Sequence, residues 1–129
     1  MDPEERGPEN WRRIARRDWQ GLHILLSAGD GAGAGFFLQQ TIEKFLKGYL
    51  IARGWQLRRT HELDRLLDAA CGHDPTLAAF RPFCERVSGY YVIERYPGTM
   101  LGGPDVQQVG LDLDEARRLV STLFPDEQL

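Results

Sequence analysis

Gln39-Gln40-Thr41-Ile42-Glu43-Lys44-Phe45-Leu46-Lys47 decides the fold. Ile42, Phe45 and Tyr49 repeat at helical spacing and form an apolar line. One step round the same helix, Gln40, Lys44 and Lys47 fall on a second line, with Gln39 and Glu43 beside them. The segment is therefore a helix with a buried stripe and an unusually patterned polar side. It extends from about Phe36 to Ala52, where Gly54 ends it.

The rest of the chain reads the same way. A first helix is expected from Glu9 to Ser27, with Trp11, Ile14, Ala15, Leu22, Leu25 and Leu26 on one stripe and Asp18 interrupting it. Gly29, Gly31, Gly33 and Gly35 disfavour helix, so this stretch is expected to be a connection. It lacks the lysine and hydroxyl residue that close a phosphate-binding loop. Thr60 is the expected N-cap of a third helix carrying Leu63, Leu66, Leu67 and Ala70. Asp74-Pro75 opens a short helix to Phe80, and Pro82 divides it from, or kinks it into, a longer one to about Glu94. Pro97 to Gly110 is expected to be a loop. Asp112 with Glu115 resembles a capping box for the last helix. Strand patterns are nearly absent. The expectation is an all-α, antiparallel up-and-down bundle of four to five helices. It would form one domain over residues 1–129, with flexible tails at 1–8 and 125–129.

The 129 residues are 42% apolar, enough for a core, and the net charge of −3 argues against a globally basic nucleic-acid surface. Cys71 and Cys84 lack metal-ligand spacing with His23 or His73 and read as reduced core thiols, so no metal and no cofactor are expected. Met1 to Pro8 has no apolar run of a signal peptide, and no stretch approaches the roughly 20 residues of a membrane span. A cytoplasmic protein is expected.

Several residues carry two readings each. Gln40, Lys44 and Lys47 form either a groove for a phosphate or an acidic partner, or a solvated face with Glu43 and Lys47 as a surface pair. His61 either enters a polar cleft, meeting a ligand or Arg95, or belongs to an exposed first turn or a structural network. Arg95 either grips phosphate or caps its helix, with Tyr96 against the core. Asp18, a carboxylate on an apolar stripe, needs a partner, and Lys44, His61 and Arg95 are candidates. Arg12, Arg13, Arg16 and Arg17 read as a solvated basic face, balanced by Asp2, Glu4, Glu5 and Glu9, rather than a nucleic-acid contact. Tyr90 and Tyr91 are mainly core by spacing, with one hydroxyl able to reach the cleft.

Taken in order, these landmarks resemble the HEPN domain family of small helical bundles. Trp11, Ala15 and Asp18 resemble its first-helix pattern. Phe36-Phe37-Leu38-Gln39-Gln40, followed by Glu43-Lys44-Phe45-Leu46-Lys47, resembles its most recognisable segment. Thr60-His61-Glu62-Leu63 is similar to its next landmark, and Tyr91 with Arg95-Tyr96-Pro97 to its last. The resemblance implies a bundle that often dimerises and works beside a separate minimal nucleotidyltransferase, sometimes as a toxin–antitoxin pair. Some members are RNases; others bind nucleotides or are non-catalytic.

One departure bears on activity. Catalytic members place a histidine a few residues after a late arginine, and none follows Arg95 through Gly102. Arg17 and His23 have a comparable spacing but lie on the first helix. The expectation is a non-catalytic, homodimeric module that binds a nucleotide or an RNA phosphate. Its ligand residues would be Gln40, Lys44, Lys47, His61, Arg95 and Tyr96, with Asp18 and Glu43 in a structural polar network. The alternatives are a metal-independent RNase toxin using His61 and Arg95, and a purely structural interaction module.

Overall fold

The computed structural model describes residues 7–56, 58–95 (92–95 by backbone only) and 103–129. Among them are five α-helices and one 3-10 helix, and no strand: α1 (Pro8–Ser27), α2 (Gly31–Ile51), α3 (Leu63–Cys71), the 3-10 helix Pro75–Phe80, α4 (Arg81–Arg95) and α5 (Val106–Leu123). The all-α bundle expected from the apolar periodicity is what forms. No helix among the described residues is long and apolar enough to cross a membrane.

The bundle is organised around α2, on which α1, α3, α4 and α5 all pack. A helix enclosed on all sides cannot keep a conventional solvated face. Leu38, Ile42, Phe45, Leu46 and Leu50 are fully buried, but so are Gln39, Thr41 and Glu43. Thr41 resolves its burial locally, donating from Oγ1 to the Phe37 carbonyl at 2.8 Å.

α2 begins five residues earlier than its apolar pattern suggested. Asp30 caps it by accepting from the Gly33 amide at 2.8 Å. Gly29, at φ +82°, makes the left-handed turn out of α1. Gly31 and Gly35, expected to break the helix, lie inside it for a packing reason. A Cβ on Gly31 would come within 2.8 Å of Asp105 Cα, and one on Gly35 within 2.6 Å of Pro104 Cγ and 3.2 Å of the Tyr90 ring. The absent side chains let the segment preceding α5 lie directly on α2. Gly48 does the same for α1, facing Trp11 Cβ at 3.1 Å.

Three other expectations change. Thr60 does not cap α3: its hydroxyl accepts from the Glu62 amide at 3.2 Å in a local turn, and Ser88 Oγ of α4 takes the Leu63 amide at 3.2 Å. Asp112 is not a cap either. Asp105 caps α5, accepting from Gln108 N at 2.8 Å, so part of the expected Pro97–Gly110 loop is helix. Asp112 lies buried in α5, where it accepts from Tyr90 Oη at 2.7 Å and Arg86 at 2.8 Å. Burial and that carboxylate push the Tyr90 hydroxyl far upward in pKa. Residues 125–129, expected to be loose, are tied down. Glu127 takes hydrogen bonds from Arg12 and Arg16, both at 2.9 Å, and Arg12 lies 4.4 Å over the Phe124 ring. These contacts, with Glu9 and Asp126, neutralise much of the basic run on α1.

The glycine argument gives opposite signs at two helical positions. Gly31→Ala destabilises the protein by about 1–3 kcal/mol through overpacking, although alanine is the better helix former. Gly89→Ala, on the open face of α4 with nothing within 4 Å, stabilises by about 0.5–1 kcal/mol. Urea denaturation of the two variants checks both signs.

Candidate functional site

The polar side of α2 turns inward and is built on the Glu43 carboxylate, whose side chain is 2% exposed. An ion this buried needs partners for both oxygens. Oε2 has Lys47 Nζ at 3.1 Å, one turn on, and Lys44 Nζ at 3.9 Å. Oε1 has His61 Nδ1 at 2.8 Å and accepts from Gln39 Nε2 at 3.2 Å. The surface-pair reading of Glu43 and Lys47 is therefore replaced by a buried, multiply bonded cluster.

Glutamines extend the network along the helix. Gln39 Nε2 also donates to the His61 carbonyl at 2.8 Å, which fixes the chain just before α3. Gln40 Nε2 donates to Gln39 Oε1 at 2.6 Å, and Lys44 Nζ donates to Gln40 Oε1 at 2.9 Å. Lys44 also meets Asp18 of α1 at 3.7 Å, so of the three partners considered for Asp18 the structure supplies Lys44. Burial pushes the Asp18 carboxyl above its ordinary pKa, against the pull of Lys44.

His61 is half exposed yet held in orientation. Its ring stacks on Tyr91 at 4.5 Å and 14°, and Tyr91 stacks in turn on Phe36 at 5.8 Å. A carboxylate only accepts, so Nδ1 is the nitrogen that donates to Glu43.

A cavity of about 300 Å³ lies against this cluster, lined by Trp11, Gln40, Glu43, Lys44, Lys47, Arg58, Arg59 and His61. Four of the expected ligand residues, Gln40, Lys44, Lys47 and His61, thus share one wall. Asp18 and Glu43 stand behind the lysines as the expected polar network. Arg95 is the last residue of α4; its side chain and all of Tyr96 lie outside the described residues.

Sequence reasoning missed three contributors. Arg58 and Arg59 sit in the segment between Gly54 and Thr60, exposed, and in no ion pair with a described residue. They also line an adjoining cavity with Trp55, and Arg59 a third with His61 and Tyr91. The adjacent basic pair was a visible signal, but nothing in its spacing aimed it at α2. Trp11 was read as core, and it is 2% exposed, but it also walls the cavity, with Lys47 Nζ 5.6 Å from its ring centre.

The family model of the HEPN domain matches residues 8–123. The chain belongs to the HEPN domain family, which places it among nucleotide- and RNA-related helical modules. No curated protein and no solved structure matches the chain.

The buried pair sets a stability prediction. Glu43→Gln leaves the Lys47 ammonium without its principal counter-charge and destabilises by about 3–5 kcal/mol. Adding Lys47→Met to that variant recovers most of the loss. Chemical denaturation of the single and double variants measures the coupling.

Proposed function

We propose that this HEPN domain is a binding module for a phosphate-bearing ligand, a nucleotide or an RNA phosphate, seated in the cavity between Trp11, α2 and the segment 58–61. The observation that carries this reading is the convergence of Lys44, Lys47, Arg58 and Arg59 on one concave wall. Glu43 fixes the lysines from below, so they are preorganised and lose little rotamer freedom on binding. The arginines are exposed and unpaired with described residues, and they supply planar forks suited to phosphate oxygens. Gln40 and His61 orient the ligand by hydrogen bonds. The same reading makes the chain a homodimer with a separate minimal nucleotidyltransferase as protein partner, in a toxin–antitoxin pair; both parts rest on the family resemblance.

A thermal-shift titration with ATP and with short RNA tests the binding. At 100 times its dissociation constant the ligand stabilises the wild type by about 2.7 kcal/mol. Arg58→Gln/Arg59→Gln keeps the unliganded melting temperature and loses most of the shift. A wild type that does not respond to either ligand contradicts the reading.

One observation favours a second reading, RNA cleavage. His61, held by Glu43 through Nδ1, lines the cavity together with four cations, and a neutral imidazole in that position can act as general base toward a hydroxyl. In that case the purified protein cleaves RNA without metal, and His61→Gln abolishes cleavage while RNA binding persists. Intact RNA after prolonged incubation rules this reading out.

A further inference from the structure

The cationic cavity does not end at His61. Arg59 and His61 also line a neighbouring cavity of about 490 Å³, which Thr60, Ser88 and Tyr91 bound on its other sides. The two spaces meet at the shared residues and differ in character. The first draws on Lys44, Lys47, Arg58 and Arg59. In the second, Arg65 is paired with Glu62, which leaves Arg59 as its unpaired cation among the described residues. Its other polar groups are hydroxyls. Ser88 Oγ accepts from the Leu63 amide and Thr60 Oγ1 from the Glu62 amide, both at 3.2 Å, so each keeps its own hydrogen to donate.

His61 and Tyr91 give this second cavity an aromatic wall. Their rings lie 4.5 Å apart at 14°, and Phe36 stacks on Tyr91 at 5.8 Å and 25°. None of the three rings is buried, so core packing does not account for the column. His61 spends one face on Tyr91 and its Nδ1 on Glu43, yet its side chain is 49% exposed. What it presents to the cavities is ring surface that neither contact uses. The ring is also held in place, because Glu43 takes Nδ1 and Gln39 takes the carbonyl of the same residue, each at 2.8 Å. A fixed aromatic surface with hydroxyl donors beside it gains nothing from a phosphate. It matches a nucleobase, which offers a π-face for the rings and acceptors along its edge.

We propose that the second cavity is a nucleobase subsite: the phosphate of a nucleotide unit sits on the cations of the first cavity, its base packs on the His61–Tyr91 wall, and the ribose crosses between them past Arg59. The inference rests on the phosphate-binding reading and deepens it. The ligand is held by its base as well as its phosphate, so inorganic phosphate and sugar phosphates are poor ligands. Stacking is tolerant of base identity, so the subsite selects nucleotides from other phosphates rather than one nucleotide from another.

Isothermal titration tests it with two matched pairs: 5′-AMP against ribose 5-phosphate, and a short adenylate RNA against the same strand without bases. The base-bearing member binds about tenfold or more tightly, the scale of one base on an aromatic side chain. Preference in the first pair assigns the subsite to a free nucleotide, and preference in the second alone to a residue of an RNA strand. Tyr91→Leu keeps apolar bulk and removes the ring. It cuts the preference about fivefold or more and leaves the base-free ligand binding as it does to wild type, whereas a loss of structure weakens both members alike. Circular dichroism confirms that this variant folds. Should it not, the ring-proton signals of His61 in the wild type decide: the ring current of the base moves them, and the base-free ligand does not. Equal affinity within both pairs, an undiminished preference in folded Tyr91→Leu, or His61 signals that stay fixed at saturation overturns the inference and leaves phosphate binding standing. Absence of binding by all four probes overturns both.

Discussion

A single carboxylate, Glu43, sets the terms on which α2 can be the central helix. Four other helices pack on α2, so Gln39, Thr41, Glu43 and Lys47 cannot be turned to solvent. The glutamate solves this by accepting from Gln39, holding Lys47 at 3.1 Å and taking His61 Nδ1 at 2.8 Å. These bonds couple the middle of α2 to the start of α3, while Lys44 carries the network to Asp18 on α1. Breaking a buried cluster of this kind strands charges in the core. The position is therefore both a structural constraint and the origin of the site's polarity.

The same arrangement explains how an acidic protein can offer a cationic cavity. Net charge describes the whole surface, and binding depends on the local field. The lysines are held and balanced from beneath by Glu43 and Asp18, the arginines approach from the segment before α3, and Trp11 closes one wall. On α1, by contrast, Arg12 and Arg16 are taken up by Glu9, Asp126 and Glu127. Half of the chain's most conspicuous basic run is thus already neutralised, and the cavity draws on lysines and arginines from separate segments.

The helical fold was legible because it depends on apolar spacing, and the lines through Ile42, Phe45 and Tyr49 or through Leu63, Leu66 and Leu67 are unambiguous. The errors arose where tertiary contact overrode local preference. Gly31 and Gly35 read as helix breakers because the chain does not announce that Pro104 and Asp105 will lie against them. Asp112 matched a capping pattern, but Asp105 supplied the cap and Asp112 was drawn to Tyr90 and Arg86. Glu127 looked like tail until α1 provided two arginines. In the site, the α2 residues and His61 were legible from their pattern and from the family resemblance. Arg58 and Arg59 were not, because their position depends on how the chain crosses from α2 to α3. The role of Trp11 was hidden for a different reason: a buried indole and a buried indole that also walls a cavity are identical in sequence.

The most direct measurement of the account is a titration of the protein with 5′-AMP followed by the indole N–H signals in a proton–nitrogen correlation spectrum. The chain has three tryptophans, each giving one such signal, and Trp11→Phe assigns the one that matters. The account predicts that the Trp11 signal shifts as the ligand fills the cavity it walls, that Trp19 stays in place, and that the shift saturates with the binding isotherm. A Trp11 signal that stays fixed while AMP binds would contradict it, and would place the phosphate somewhere other than the cavity that Glu43 organises.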